Sequence, residues 1–470
     1  MNRRTLTILL AVCTAVGCAA QPQREVYEPV RFGDGTPVTD DPEAEALFSQ
    51  DAYLVDTTFT EKGDTLFTFR HAGAFVRLQL DGLPAGIDKI SLVPMEGDIT
   101  ILPVTLSESG EFILWMAKKP GSLPAAAALA QGAGGRLWSA RLPALDLHAG
   151  TAYRWTGTLI PPDPPRADIR ASALSQTLLD IEPGEYSGIT HISGNRYAVV
   201  DDNRKGSGIL FFSIPIGADG TVGRVLLQAA DGTLNATGKA QDCEGIAYVP
   251  SSGTLFVSTE KQEIREYDLS GRATGNALRI PKDLGAARIE TNRGFEALTY
   301  NDATGLFWTT TESPLKADTF LPGILRLQSF DMDGNPAERY FYQTDTPRRT
   351  AANTVAYVFG VPALAALDDG RLLVLEREVY VPKGSVWDKL QKAFTEMNLY
   401  LVDPVHDTAG ILRKSPLCSF RTGALDLANF EGMCLGPTLP DGTRTLILIA
   451  DSQKGSGGLT NEYVKVILLR

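Results

Sequence analysis

The chain has 470 residues, 43% of them hydrophobic, and a formal net charge of −12. That length gives room for two or three domains, and the acidic balance argues against a nucleic-acid partner. Only four histidines occur, His71, His148, His191 and His406, which argues against a zinc centre built on histidine.

Residues 1–17 (MNRRTLTILLAVCTAVG) carry two arginines and an apolar stretch from Leu6 to Val16, too short to span a bilayer. Cys18 follows directly. The pattern reads as a lipoprotein signal, with cleavage before Cys18, lipidation of its thiol and a membrane attachment through the lipid alone. Ala19 is not an acidic retention signal. The expected place is therefore the cell envelope, as an outer-membrane lipoprotein with its body in the periplasm or on the surface. Residues 18–46 are polar with Pro and Gly and read as a tether. From 47 to 160 the strand-like runs TLFTFRH, AFVRLQL, KISLVPM, EFILWMA and YRWTGTL predict a small β-sandwich. PPDPP opens a stiff linker, residues 161–171.

From 172 to 470 one short sentence is written five times: SGITHISGNRYAVVDD from Ser187, EGIAYVPSSGTLFVSTE from Glu244, FEALTYNDATGLFWTTTE from Phe295, VPALAALDDGRLLVLER from Val361, and FEGMCLGPTLPDGTRTLILIAD from Phe430. Each is an apolar run, a Gly-containing turn, a second apolar run and an acid, which reads as a hairpin. Two further strands follow in most copies, such as ILRLQSFD and ERYFYQT after Glu312. Four antiparallel strands repeated at this spacing predict a β-propeller and an all-β chain. The last copy keeps only EYVKVILLR, so SQTLLDI (175–181) is expected to supply its missing strand and clasp the chain ends. Five blades are expected, or six if residues 285–294 or 344–360 hide weak strands.

Hairpin geometry sets the first strand's start beside the second strand's end. Glu244 is then expected beside Glu260, Glu296 beside Glu312, and Glu431 beside Asp451, with Asp202 and Glu376 at the matching ends of the other blades. All eight carboxylates would gather at one mouth of the channel. Two like charges about 5 Å apart repel by roughly 3 kcal/mol at an effective dielectric of about 20, so a cation, a base or a proton must offset them. Oxygen-only donors favour Ca²⁺ or Mg²⁺, with Glu244, Glu296 and Glu431 as expected metal ligands and Asp202, Glu260 and Glu312 joining them as candidate catalytic groups. Bases follow the acids: Lys205, Lys261, Arg377 and Lys454. With Glu376 and Asp451 they form a candidate binding ring for an anionic small-molecule ester. The plain alternative is a ring of ion pairs that caps strand ends. Two further expectations are a helix over SVWDKLQKAFTEM (385–397), with Val386, Leu390, Phe394 and Met397 on one face as a candidate lid, and a Cys418–Cys434 disulfide that leaves Cys243 buried and inert.

At these residues the sequence resembles the phytase-like family, also called esterase-like activity of phytase. The pieces are SGI with Asp201–Asp202, DCEGIAY, NRGFEAL, TES, LVLER and FEGM, in the family's order from about 172 to 470. The resemblance implies a β-propeller and hydrolysis of phosphoric or carboxylic esters. FTFRHAGAFVRLQL, KISLV and HAGTAYRWTGTL resemble fimbrillin-type sandwiches of Bacteroidota surface lipoproteins, which implies a spacer or adhesion module. Two other functions remain open: a non-catalytic protein that binds a surface glycan or protein through a structural metal, and a lactonase of the gluconolactonase type. A monomer is expected.

Overall fold

The computed structural model describes residues 23–470 except 40, 60–64, 88, 96–99, 105–109, 133–135, 182–183, 202–207, 234–241, 319–320 and 453–460. The chain divides into two units, Met1–Pro162 with Thr408–Gly410, and Asp163–Asp407 with Ile411–Arg470.

The first unit carries two four-stranded sheets. One holds Arg31–Phe32, Thr151–Thr158, Ala74–Asp81 and Phe112–Lys118; the other holds Leu137–Leu142, Ala126–Gln131, Lys89–Pro94 and Thr100–Pro103. Alternate residues of the first sheet (Ala74, Val76, Leu78, Leu80, Trp155) share one core with alternate residues of the second (Ala126, Ala128, Ala130, Ala140, Leu142). That is two sheets packed face to face through their inward positions. Residues 23–48 do not form the expected tether. Gln23–Tyr27 pairs with Thr65–His71, Arg31–Phe32 pairs with Thr151–Thr158, and Pro42–Phe48 is a helix capped by Asp41. Apolar residues scattered among polar ones explain this: Val30, Ala44, Phe32, Leu47 and Phe48 close over Phe75 and Trp115.

The second unit carries five sheets in chain order, four of them four-stranded and the last five-stranded, with two short strands sharing its outer position. Their first strands are Tyr186–Ser193, Cys243–Val249, Phe295–Asn301, Thr354–Ala366 and Asn429–Thr438. Each first strand packs against the first strand of the next sheet, and the fifth packs against the first. Ser187, Gly245, Glu296, Pro362 and Glu431, one from each, line a narrow axial space of about 10 Å³. Five sheets ringed about such an axis make a five-bladed propeller. Residues 285–294 hold a 3-10 turn, and residues 354–360 extend the first strand of blade four, so neither segment adds a blade.

Crowding at the axis explains the glycines of the repeat. A Cβ at Gly245 would stand 2.8 Å from the Glu296 carbonyl oxygen and 2.7 Å from Leu298 Cβ, and one at Gly432 would stand 2.9 Å from the Ile189 nitrogen. Only glycine lets neighbouring first strands approach this closely.

The chain ends do close the ring. Tyr463–Leu469 pairs on one side with Arg444–Asp451 and on the other with Ala171–Ala173 and Thr177–Leu178, antiparallel. The clasp starts earlier than expected: Arg170 and Arg470 exchange both backbone hydrogen bonds, and Ala167 and Ile169 pack into the core of blades four and five. Residues 163–171 are therefore part of this unit rather than linker. Glu462 adds a tie across the closure, accepting from the Gly184 N–H at 2.7 Å and from the Ser452 hydroxyl.

Two local expectations are corrected. The helix is Val386–Lys392 only, started by a Ser385/Asp388 capping box, and Val386 and Leu390 are exposed. Phe394 and Met397 belong to the strand Phe394–Val402, where pairing with Tyr380 and Arg377 buries them. Cys418 and Cys434 are free thiols. Cys418 lies on the fourth, outermost strand of blade four and Cys434 on the first, axial strand of blade five, at opposite radial ends of their sheets. Cys243 is buried, as expected.

Deleting residues 170–179 removes the outer strand of blade five and leaves an unpaired edge. With each backbone hydrogen bond netting about 1 kcal/mol, the melting temperature is expected to fall by roughly 10 °C or more. A melt that matches the full chain would show that the clasp contributes nothing.

Candidate functional site

The expected cross-strand neighbours are displaced by a feature that pattern reading does not show. Every first strand breaks register near the end of its second strand: between Tyr186 and Gly188, Cys243 and Ile246, Phe295 and Ala297, Gly360 and Ala363, and Phe430 and Gly432. These irregularities contain Ser187, Glu244, Glu296, Pro362 and Glu431. A β-bulge re-aims its side chain, and bulges concentrate beside active sites. The residues across from the second-strand ends are thus Asp242 for Glu260, Gly294 for Glu312 and Asn429 for Asp451.

The bulges bring three acids from two blades together. One ligand atom each from Glu244, Glu260 and Glu296 lies within 4.8 Å of the others, and Glu244 and Glu296 are buried. Burial, then repulsion from Glu312 and Glu431, pushes the Glu296 carboxyl well above the ordinary carboxylate range, against the pull of Arg377. Burial also raises Glu260, with Asp242 and Glu312 adding to it and the Gly294 N–H, 3.0 Å from Oε2, opposing it.

Glu312 and Glu431 are not free ligands. Arg377, buried, donates Nη2 to Glu312 Oε1 at 2.5 Å and Nη1 to Glu431 Oε1 and to Asn429 Oδ1 at 3.0 Å. Asn429 Nδ2 also donates to Glu431 Oε1 at 2.8 Å. Arg293 pairs with the other oxygen of Glu312 and remains 30% exposed. The expected placement of Glu431 beside Asp451 is therefore corrected: Asn429 pairs with Asp451, and the bulge turns Glu431 onto the blade-four guanidinium.

Glu376 also stands apart from the cluster. It accepts from Tyr342 Oη, Lys414 Nζ and the Asp345 N–H at 2.6, 2.6 and 2.9 Å. Glu376 and Arg377 are consecutive strand residues with different main partners, Tyr342 and Lys414 for Glu376 and Glu312 and Glu431 for Arg377. Glu376 and Arg377 both line a polar cavity of about 240 Å³ in blade four, with Asp345, Arg348, Glu378 and Glu396. Asp451 is buried and Lys261 is exposed. Asp202, Lys205, Lys454 and Cys18 lie outside the described residues.

Pattern reading missed Arg293, Asn429 and Gln262. Arg293 had a signal, since it stands three residues before Glu296 in NRGFEAL. Gln262 has none in the repeat. It follows Glu260 by two, has a φ of 62°, and is 4% exposed, yet neither amide atom has a hydrogen-bond partner. The neighbouring Thr259 hydroxyl is likewise buried and unpartnered. Each such group left unsatisfied costs about 1–3 kcal/mol, an unusual concentration for one turn.

The family model described as "Phytase-like: Esterase-like activity of phytase" matches residues 181–453, more than half of the chain. The chain belongs to this family. A crystal structure of a protein from Lactobacillus plantarum aligns over 77% of this chain and 89% of its own, at 11% identity and a TM-score of 0.29. No curated protein matches the chain.

A carboxyl whose folded pKa is raised contributes stability below its unfolded value, and that stability is lost as pH rises through the folded value. In chelator, the melting temperature is expected to fall as pH rises above the ordinary carboxylate range and Glu296 is forced to ionise. Glu296→Gln should flatten that fall and exceed the parent at the upper end. Parallel pH profiles for the two proteins would refute the account of Glu296 as a buried acid.

Proposed function

We propose that this phytase-like propeller is a cation-assisted hydrolase of phosphoric or carboxylic esters, with its reactive centre at the acidic axial mouth. The observation that carries the reading is the convergence of Glu244, Glu260 and Glu296 within 4.8 Å, two of them buried. Five carboxylates there (Glu244, Glu260, Glu296, Glu312, Glu431) face the guanidiniums of Arg377 and Arg293, so the unliganded mouth is short of positive charge. A hard divalent cation such as Ca²⁺ offsets the excess and, when bound, supplies a Lewis acid.

The chain's own residues divide the remaining work. Glu244, Glu260 and Glu296 hold the cation. Arg377 is consumed by Glu312 and Glu431 and keeps them from collapsing onto the cluster. Arg293, partly exposed beside Glu312, meets the anionic part of the ester. We further propose that Cys18 is lipidated and anchors the chain, as a monomer, in the cell envelope; the short apolar segment ending in AVGC supports this.

The test is a hydrolysis panel of phosphate esters, carboxylic esters and lactones, run with Ca²⁺, with Mg²⁺ and with chelator. Turnover of an ester class that chelator abolishes is expected, with Arg293→Ala raising KM for anionic esters about tenfold and changing kcat less. Calcium-linked stabilisation without turnover of any substrate favours a binding protein, and lactone turnover alone favours a lactonase. For the anchor, Cys18→Ser should move the protein from the membrane fraction to the soluble fraction. Unchanged membrane association would sink the lipid reading.

A further inference from the structure

We infer that Gln262 completes the cation site as a neutral oxygen ligand beside Glu244, Glu260 and Glu296. The inference rests on reading that cluster as a cation site, and adds a residue that no carboxylate count identifies.

The turn that follows the second strand of blade two, residues 259–262, carries both Glu260 and Gln262. It closes through a backbone bond from the Gln262 N–H to the Thr259 carbonyl at 2.9 Å. That geometry sends the Gln262 side chain inward, where it is 4% exposed. Glu260 Oε2 and the Gln262 amide converge on Gly294. A Cβ at Gly294 would collide with Gln262 Nε2 and stand 2.7 Å from Glu260 Oε2. The glycine of NRGFEAL therefore keeps open the small space that the carboxylate and the amide share.

Oε1 and Nε2 of Gln262 both lack a hydrogen-bond partner while fully shielded from solvent. Three of the ten such atoms among the described residues sit in this one turn. A side-chain amide is kept buried and unpaired when something else supplies its partner. Turning the amide by 180° exchanges its two ends without moving the rest of the side chain, so the carbonyl oxygen can take the place that Nε2 holds near Glu260 Oε2, one member of the cluster. Three carboxylates and a neutral carbonyl oxygen are a donor set for Ca²⁺, which takes mixed carboxylate and amide oxygens and completes its shell with water.

The backbone supports a clean variant. Gln262 sits at a φ of 62°, which glycine adopts freely, so Gln262→Gly removes the amide without straining the turn. Gln262→Glu places a fourth carboxylate at the same reach. Calcium affinity is read by calorimetric titration of the chelator-treated full chain, with metal-free melting temperature as the control for folding. The parent should bind one Ca²⁺. Gln262→Gly should weaken it tenfold or more without lowering the metal-free melting temperature, and Gln262→Glu should bind more tightly than the parent. If the parent binds and both variants bind within twofold of it, the assignment of Gln262 is overturned while the cation site stands. If the parent binds neither Ca²⁺ nor Mg²⁺, both fall.

Discussion

The buried guanidinium of Arg377 is the contact on which the propeller's mouth depends. It reaches from blade four to Glu312 of blade three and Glu431 of blade five. Without it, the repulsion that Glu312 and Glu431 already exert on Glu296 would lose its opposing charge. Unpaired buried charge is strongly destabilising, far more than the net worth of the pair itself. Arg377 makes an acid-rich axis compatible with folding, and it does so across three blades.

The same crowding that forces charge compensation also concentrates chemistry. First strands converge at the axis closely enough that Gly188, Gly245 and Gly432 have no room for a side chain. Bulges at the same height in every blade turn the neighbouring residue out of the ladder. Where that residue is Glu244 or Glu296, it joins Glu260. Where it is Glu431, it meets Arg377. Where it is Ser187 or Pro362, no charge is added. Five equivalent positions thus carry different roles, and among the described residues the acidic cluster lies on blades two and three.

Hairpin signals, strand runs and the incomplete last copy were enough to read five blades and closure through the chain ends. The acids of the cluster were also legible, because each stands at a repeat boundary. What the pattern does not carry is register: Glu431 is expected beside Asp451, yet Asn429 takes that place, because a period-two pattern carries no mark of a bulge. The tether reading of 18–46 failed for a related reason. Val30, Phe32, Leu47 and Phe48 are too sparse to register as periodic, yet they bury together once strands and a helix align them. The Cys418–Cys434 pair failed because closeness in sequence hid opposite radial positions.

Local composition by itself determined the strands, the turns, the all-β class and the recurrence of an acid in each repeat, since these follow from side-chain period and turn chemistry within one hairpin. The partners of those acids were decided only by tertiary structure. Arg377 meets Glu312 and Glu431 from 65 and 54 residues away, and Gln262 shares space with a glycine on the next blade. Such meetings depend on how five sheets close around one axis, and ring closure places side chains by angle and radius, quantities that no linear spacing encodes.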